Sequence, residues 1–180
     1  MLYIVRHGET DWNKEHRIQG HQDIPLNNQG IIDAEKVKEK LKDIDFDIVF
    51  SSPLKRAYET AKIITNKDII IDNRLIERYN GKLEGINDEE LLQSIDWDDD
   101  NSPYEIEKLS DLSNRVFSFL DEILDKYNNK NILVVTHAGI GIQIRTYFEG
   151  PLPKNKDVSF YRLRNGEVLQ YDDKVLKKHI

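Results

Sequence analysis

Residues 2–10 read Leu2-Tyr3-Ile4-Val5-Arg6-His7-Gly8-Glu9-Thr10, an apolar run that passes straight into an arginine, a histidine and a glycine. The apolar part has the length and composition of a buried strand. Arg6 and His7 then fall at its C-terminal end, the edge where open α/β sheets keep their ligand crevices. Gly8 carries no side chain to prevent a tight turn or a close approach to a ligand. The pattern returns far downstream in Ile132-Leu133-Val134-Val135-Thr136-His137-Ala138-Gly139. Two strand-end histidines, each followed by a glycine or another small residue, imply one site built from both ends of the chain.

Further apolar runs at 46–50 and 69–71 also suit short buried strands. Helix-period stripes separate them: Ile31, Ala34, Val37 and Leu41; Leu54, Ala57, Ala61 and Ile64; and the longest, Leu109, Leu112, Val116, Phe119, Leu120, Ile123 and Tyr127. This alternation predicts an α/β fold, a three-layer α/β/α sandwich around a mostly parallel mixed sheet. Near the end, 158–163 and 167–171 flank Arg164-Asn165-Gly166, and the Asn-Gly pair predicts a β-hairpin supplying an antiparallel edge. Residues 80–108 hold Trp97, Asp98-Asp99-Asp100 and Pro103 without clear periodicity, which predicts an excursion over the crevice, a lid.

With 180 residues, the chain is expected to form one domain over 1–180, long enough to bury a substantial core. A formal charge of −7 argues against nonspecific binding to nucleic acid or to an anionic membrane. An anionic substrate must therefore be held by a local basic pocket. The absence of cysteine excludes disulfides, thiolate catalysis and zinc–cysteine sites. No apolar run approaches the roughly 20 residues that a membrane span needs. The chain also enters a strand without a basic-then-apolar leader, so a cytoplasmic location is expected.

The residues at the strand ends suit phosphoryl transfer without a metal, which needs a nucleophile, cations for the phosphoryl oxygens and an acid for the leaving oxygen. A neutral imidazole is a competent nucleophile near neutrality, since its ordinary pKa is about 6.5, and His7 is well placed for the role. Arg6 and Arg56 can bind phosphoryl oxygens through forked, charge-assisted hydrogen bonds. Arg56 follows the 46–50 strand in Ser51-Ser52-Pro53-Leu54-Lys55-Arg56-Ala57, where a helix is predicted to begin near Pro53 and to offer free N–H groups. His137 precedes another predicted helix, so the amides of Ala138 and Gly139 can join the cradle. Glu77, in Arg74-Leu75-Ile76-Glu77-Arg78-Tyr79, is a natural acid, although Glu84, Glu89 and Glu90 offer equal chemistry nearby. Taken singly, His7 reads better as a satisfied structural histidine, and Arg56 reads equally well as a solvated helix residue. His16, His21 and His179 have only polar context and are expected on the surface. Trp12 and Trp97 read as packing residues, and Trp97, in a lid, suits a substrate platform as well.

The chain resembles the histidine phosphatase superfamily in its phosphoglycerate-mutase-like branch. Five ordered blocks carry the likeness: Arg6 to Asn13; Arg17-Ile18-Gln19-Gly20 through Leu26 and Gly30; Ser51 to Ala57; Glu77 to Gly85; and Thr136-His137-Ala138-Gly139. The resemblance implies that His7 becomes a transient phosphohistidine while Arg6, Arg56 and His137 surround the phosphoryl group. It makes Glu77 the acid and base, and puts Asn13, Gln19, Gly20, Ala138 and Arg78 at the substrate. No metal and no cofactor are implied, and the partner is a small phosphorylated metabolite bound by a monomer or homodimer.

Hydrolase and mutase share the phosphohistidine and differ in the acceptor. Glu77-Arg78, Gly81, Leu83, Gly85 and Asn87 resemble the cofactor-dependent phosphoglycerate mutases. A mutase, however, needs a second anion site, and residues 86–107 contain no lysine or arginine but many acids, among them Asp96, Asp98, Asp99 and Asp100. Such a lid repels a second phosphate, and hydrolysis of a phosphate monoester is the expected activity. The alternatives are a phosphoglycerate mutase, an inactive phospho-ligand binding module and a metal-dependent phosphoesterase. Two departures stand out: Ile142 replaces an arginine common in relatives, with Arg145 further on, and 104–110 matches the family's Gly-Glu-Ser run imperfectly.

Overall fold

The structure, a computed structural model, describes residues 1–172; His179 lies outside them. Its strands are β1 (Leu2–Arg6), β2 (Ile48–Ser51), β3 (Ile69–Ile71), β4 (Ile132–Thr136) and β5 (Val168–Tyr171). The helices are α1 (Asp11–Lys14), α2 (Asn28–Leu41), α3 (Lys55–Ile64), α4 (Glu89–Ser94), α5 (Leu109–Lys126) and α6 (Ala138–Glu149). The strands form one sheet in the order β3-β2-β4-β1-β5, parallel except for β5, which runs antiparallel to β1.

Side chains on a strand alternate between faces, and β1 divides its residues accordingly. Leu2 and Ile4 join Phe50, Ile132 and Val134 in a core covered by Val116, Phe119, Leu120 and Ile123 of α5 and by Ile140 and Ile144 of α6. Tyr3 and Val5 join Val49, Leu133 and Val135 in a second core under Val37 and Leu41 of α2 and Ala57, Ala61 and Ile64 of α3. Two apolar faces each covered by a helix pair make the three-layer sandwich that the periodicity implied. Among the described residues, no helix is long and apolar enough to cross a membrane.

Two expectations are corrected. The second strand begins at Ile48 rather than Phe46, whose ring instead meets Tyr3 edge-on with centroids 5.5 Å apart. The helix after it begins near Pro53 as expected, at Lys55 with Leu54 as its N-cap. The hairpin is absent: Val158–Phe160 is a 3₁₀ turn, in which Asp157 accepts from the Ser159 amide and so favours turn over strand. The antiparallel edge is nevertheless present, because β5 pairs with the open side of β1, with Leu2 opposite Tyr171 and Val5 opposite Val168. The Asn-Gly reversal itself forms, closed by the Glu167 amide on the Arg164 carbonyl at 3.0 Å; the missing part is the first arm, and β5 takes its ladder from β1 instead.

Register sets the site. Arg6 lies opposite Thr136, and Ser51 lies opposite Val135, so β1 and β4 end level and β2 ends one position earlier. Their next residues, His7, His137 and Ser52, emerge together at the C-terminal edge of the sheet centre.

Candidate active site

His7 and His137 meet at that edge with ring centroids 5.1 Å apart, and their exposures are 2% and 0%. Burial, and then the nearby Arg56 and other positive groups, push both imidazoles well below their ordinary pKa, so both rings are neutral at neutral pH. His7 Nδ1 lies 2.7 Å from the Gly8 carbonyl oxygen. A carbonyl can only accept, so Nδ1 carries the proton and Nε2 keeps a free lone pair. Gly8 has no positive φ. It is glycine because its backbone packs against that of Gly30, where a Cβ would overlap the carbonyl.

Arg6 and Arg56 are buried beside these rings. Desolvation is the main cause that brings each guanidinium down to about 10, still cationic at neutral pH, while the Glu77 carboxylate pulls the other way on both. Arg6 donates to the Leu163 carbonyl at 2.7 Å. Arg56 donates to the carbonyls of Gln22 and Gly20 at 2.7 and 2.8 Å. Arg6 Nε, Arg56 Nε and His137 Nδ1 are buried and have no hydrogen-bond partner among the described residues. Native interiors seldom leave such groups unpaired, and three of the four found among the described residues lie at this sheet edge, the fourth being Arg145 Nε.

Glu77 reaches the same edge from the segment after β3. Its Oε1 accepts from the Arg78 amide at 2.9 Å and its Oε2 from the Gly139 amide at 3.2 Å. Gly139 lies in the first turn of α6, whose N–H groups lack intrahelical partners. Glu84, an equal candidate by sequence, is committed elsewhere. Its carboxylate accepts from the His21 and Asn80 amides and from Gln22 Nε2, ordering the loop whose carbonyls hold Arg56.

At the rim, Asn13 Oδ1 accepts from the Thr10 amide at 3.2 Å and Gln19 Oε1 accepts from the Thr10 hydroxyl at 3.0 Å. Both side chains thereby turn their oxygens inward, and their NH₂ groups have no partner among the described residues. Ala138 is the first residue of α6. Arg78 donates to the main-chain carbonyls of Glu107 and Trp97 at 2.9 and 2.8 Å. It thus fastens the 80–108 segment beside Glu77.

Sequence reasoning missed four residues. His21, expected on the surface, is half-buried, with Nε2 2.9 Å from the Glu77 carbonyl oxygen and its ring against Tyr79. Arg115 donates to the carbonyls of Arg74, Ile76 and Glu77 and to both carboxylate oxygens of Glu107. Glu107 also accepts from the Tyr79 amide. Burial pulls the Glu107 carboxyl upward, but the Arg115 bonds and charge outweigh it and hold it below the usual range. Asn165 donates toward the strand end that carries His7. Nothing in the sequence signals the Arg115–Glu107 pair, since Glu107 lies before α5 and eight positions separate the two.

A family model described as "Histidine phosphatase superfamily (branch 1)" matches residues 2–171. The chain is 36% identical to phosphoglycerate mutase-like protein 4 of Arabidopsis thaliana, over 92% of this chain and 80% of that protein. It is 37% identical to the uncharacterized phosphatase PhoE of Bacillus subtilis, over 84% and 78%. The fold superposes on a solved phosphoserine phosphatase from Entamoeba histolytica, in complex with 3-phosphoglyceric acid. That comparison has a TM-score of 0.77 and 30% identity, and covers 93% of this chain and 87% of the other.

Proposed function

The chain belongs to the histidine phosphatase superfamily, branch 1, and from that premise we propose that it hydrolyses a small phosphate monoester through a phosphohistidine on His7. The observation that carries this reading is the set of orphaned buried groups, Arg6 Nε, Arg56 Nε and His137 Nδ1, around an imidazole held as its Nδ1–H tautomer.

In the first step, the Nε2 lone pair of His7 attacks phosphorus and the bond to the ester oxygen breaks. Glu77, in its protonated form, gives its proton to the leaving alkoxide. In the second step, water attacks the phosphohistidine, Glu77 takes the proton from that water, and the nitrogen–phosphorus bond breaks to release inorganic phosphate. The guanidiniums of Arg6 and Arg56 stay fixed through both steps and stabilise charge on the phosphoryl oxygens. The Ser52 hydroxyl accepts from the Leu54 amide at 3.3 Å and donates a hydrogen bond to His137 Nε2 at 2.7 Å. His137 Nδ1–H is then a further donor to the phosphoryl group. The Asn13 and Gln19 NH₂ groups and the Ala138 amide complete the cradle.

The name of the Arabidopsis thaliana relative favours a mutase reading. Hydrolysis is preferred because Arg78 is taken up by lid carbonyls, and its guanidinium also faces the charges of Asp98, Glu107 and Asp100. A second phosphate would meet carboxylates there. The lid role of 80–108 and the cytoplasmic location belong to the same proposal.

The test is phosphate release from a panel of monoesters in the presence of chelator, with acid quench to trap phosphohistidine. Release with wild type and its loss in a folded His7→Ala variant support the mechanism. Undiminished turnover in that variant would overturn it.

A further inference from the structure

Asn165 was expected to serve a hairpin turn, but that turn closes without its side chain. The Glu167 amide donates to the Arg164 carbonyl at 3.0 Å, and the Arg164 amide donates to Glu167 Oε2 at 2.8 Å. The neighbouring main chain runs along the end of β1: Gly166 N–H donates to the Arg6 carbonyl at 3.1 Å, and Arg6 N–H donates to the Glu167 carbonyl at 3.2 Å. This pairing presents the half-buried Asn165 side chain to the nucleophile's own backbone. Its Nδ2 lies 3.1 Å from the carbonyl oxygens of His7 and Gly8, and 3.1 Å from Asn13 Oδ1.

The Gly8 carbonyl therefore accepts twice, from the His7 ring at 2.7 Å and from Asn165 at 3.1 Å. A carbonyl oxygen has two lone pairs, and here they link the two side chains through one atom. The N–H of the same peptide, that of Glu9, donates to Asp33 Oδ2 at 3.2 Å; without Asn165 the carbonyl keeps that anchor but loses its second side-chain partner, and the Nδ1–H bond that selects the tautomer weakens with it. Second partners of this kind orient histidine ligands at metal sites, where they fix the tautomer.

We propose that Asn165 is a positioning residue for the nucleophile, holding the Gly8 carbonyl at the orientation that keeps the proton on His7 Nδ1 and the lone pair on Nε2. The proposal rests on the phosphohistidine reading for its consequence in turnover, but its content is the protonation of one ring. The charged and titratable groups around that ring are Arg6, Arg56, His137 and, at the same edge, Glu77.

The experiment is ¹⁵N NMR of histidine-labelled full chain, with the His7 signals assigned from a His7→Gln sample, together with a pH profile of kcat/KM on an aryl phosphate. Wild type is expected to show a single Nδ1–H tautomer. Asn165→Ala is expected to keep its melting temperature within a few degrees, to show a mixture of tautomers, and to lose about tenfold in kcat/KM, the scale of one hydrogen bond. Asn165→Asp keeps the shape but replaces the donor with a carboxylate beside the ring, so the acid limb of kcat/KM moves to higher pH. Unchanged His7 shifts and an unchanged acid limb in both variants overturn the proposal, as does a wild-type ring protonated on Nε2. If Asn165→Ala does not fold, the isosteric Asn165→Asp decides. Failure of wild type to form phosphohistidine overturns the phosphatase reading instead, and leaves the NMR result to judge Asn165.

Discussion

The amide of Gly139 donates to Oε2 of Glu77 at 3.2 Å, and a Cβ on Gly139 would overlap the other carboxylate oxygen. One residue in the first turn of α6 thus both attracts the acid and leaves room for it. Gly139→Ala keeps the helix, since alanine is the stronger helix former, but displaces the carboxylate. A misplacement of about 1 Å at a reacting group costs on the order of 10²-fold in rate. The expected outcome is that loss in kcat with an activated or ordinary monoester, while inhibition by inorganic phosphate changes less than threefold. A kcat within a factor of two of wild type would remove Glu77 from the chemistry.

His7 must be neutral to attack. Burial is the first cause and the Arg56 and Arg6 charges the second that hold its pKa well below the ordinary histidine value. The neutral nucleophile therefore persists as pH falls through about 6.5, where a solvated imidazole would be half protonated. The acid limb of kcat/KM is expected clearly below pH 6.5. Replacing Arg56 with Met removes a positive neighbour but also the phosphoryl contact, so its profile shows a lower rate with the limb moved to higher pH. A wild-type limb centred at or above pH 6.5 would contradict the buried geometry.

What could be read from sequence was what contiguous residues encode. Arg6-His7-Gly8 and Thr136-His137-Ala138-Gly139 announce themselves because strand, reactive side chain and small residue follow one another. Helix stripes such as Leu112, Val116, Phe119 and Ile123 place α5 against the sheet for the same reason. Residues acting through distant main-chain carbonyls were silent. Asn165 is 158 positions from His7, and Arg115 is 38 from Glu77. A carbonyl acceptor leaves no trace in residue identity, so neither partner could be named. His21 was misjudged on the same ground, since its partner is the Glu77 carbonyl. The Asn-Gly turn formed as read, but the hairpin lacks its first arm, because Asp157 caps a turn at 158–160 and the partner of β5 is β1, a tertiary fact.

Arg115 and Glu107 form the joint between the Glu77 segment and the 80–108 segment, bonded at 2.7 and 3.0 Å, with side chains only 18% and 17% exposed. Arg115→Ala leaves the carbonyls of Arg74 and Ile76 without their donor and Glu107 without its cation. The expected cost is about 2 kcal/mol of stability, one or two unsatisfied partly buried groups. Since Arg115 also donates to the Glu77 carbonyl at 3.2 Å, kcat should fall as well. Glu107→Gln keeps the shape and one acceptor, so it should be milder in both readouts. A double-mutant cycle on urea unfolding and on kcat checks this. Strict additivity would mean that the two side chains do not act as a unit.

Acid should destabilise the fold through the two site histidines together. His7 and His137 are neutral and buried in the folded chain, each with a pKa well below the ordinary value. In the unfolded chain each titrates near about pH 6.5. Below that pH the unfolded state binds two protons that the folded state does not. Stability is therefore full above about pH 6.5 and declines as pH falls toward the folded-state values. The slope approaches about 1.4 kcal/mol per pH unit for each histidine, or about 2.7 for the pair. Urea unfolding between about pH 5 and 7.5 reads this slope directly. His7→Gln and His137→Gln should each remove about half of it. A wild-type stability that stays flat over this interval, or rises as pH falls, would mean that the imidazoles take up protons in place and that the site is not the closed, neutral pair the geometry describes.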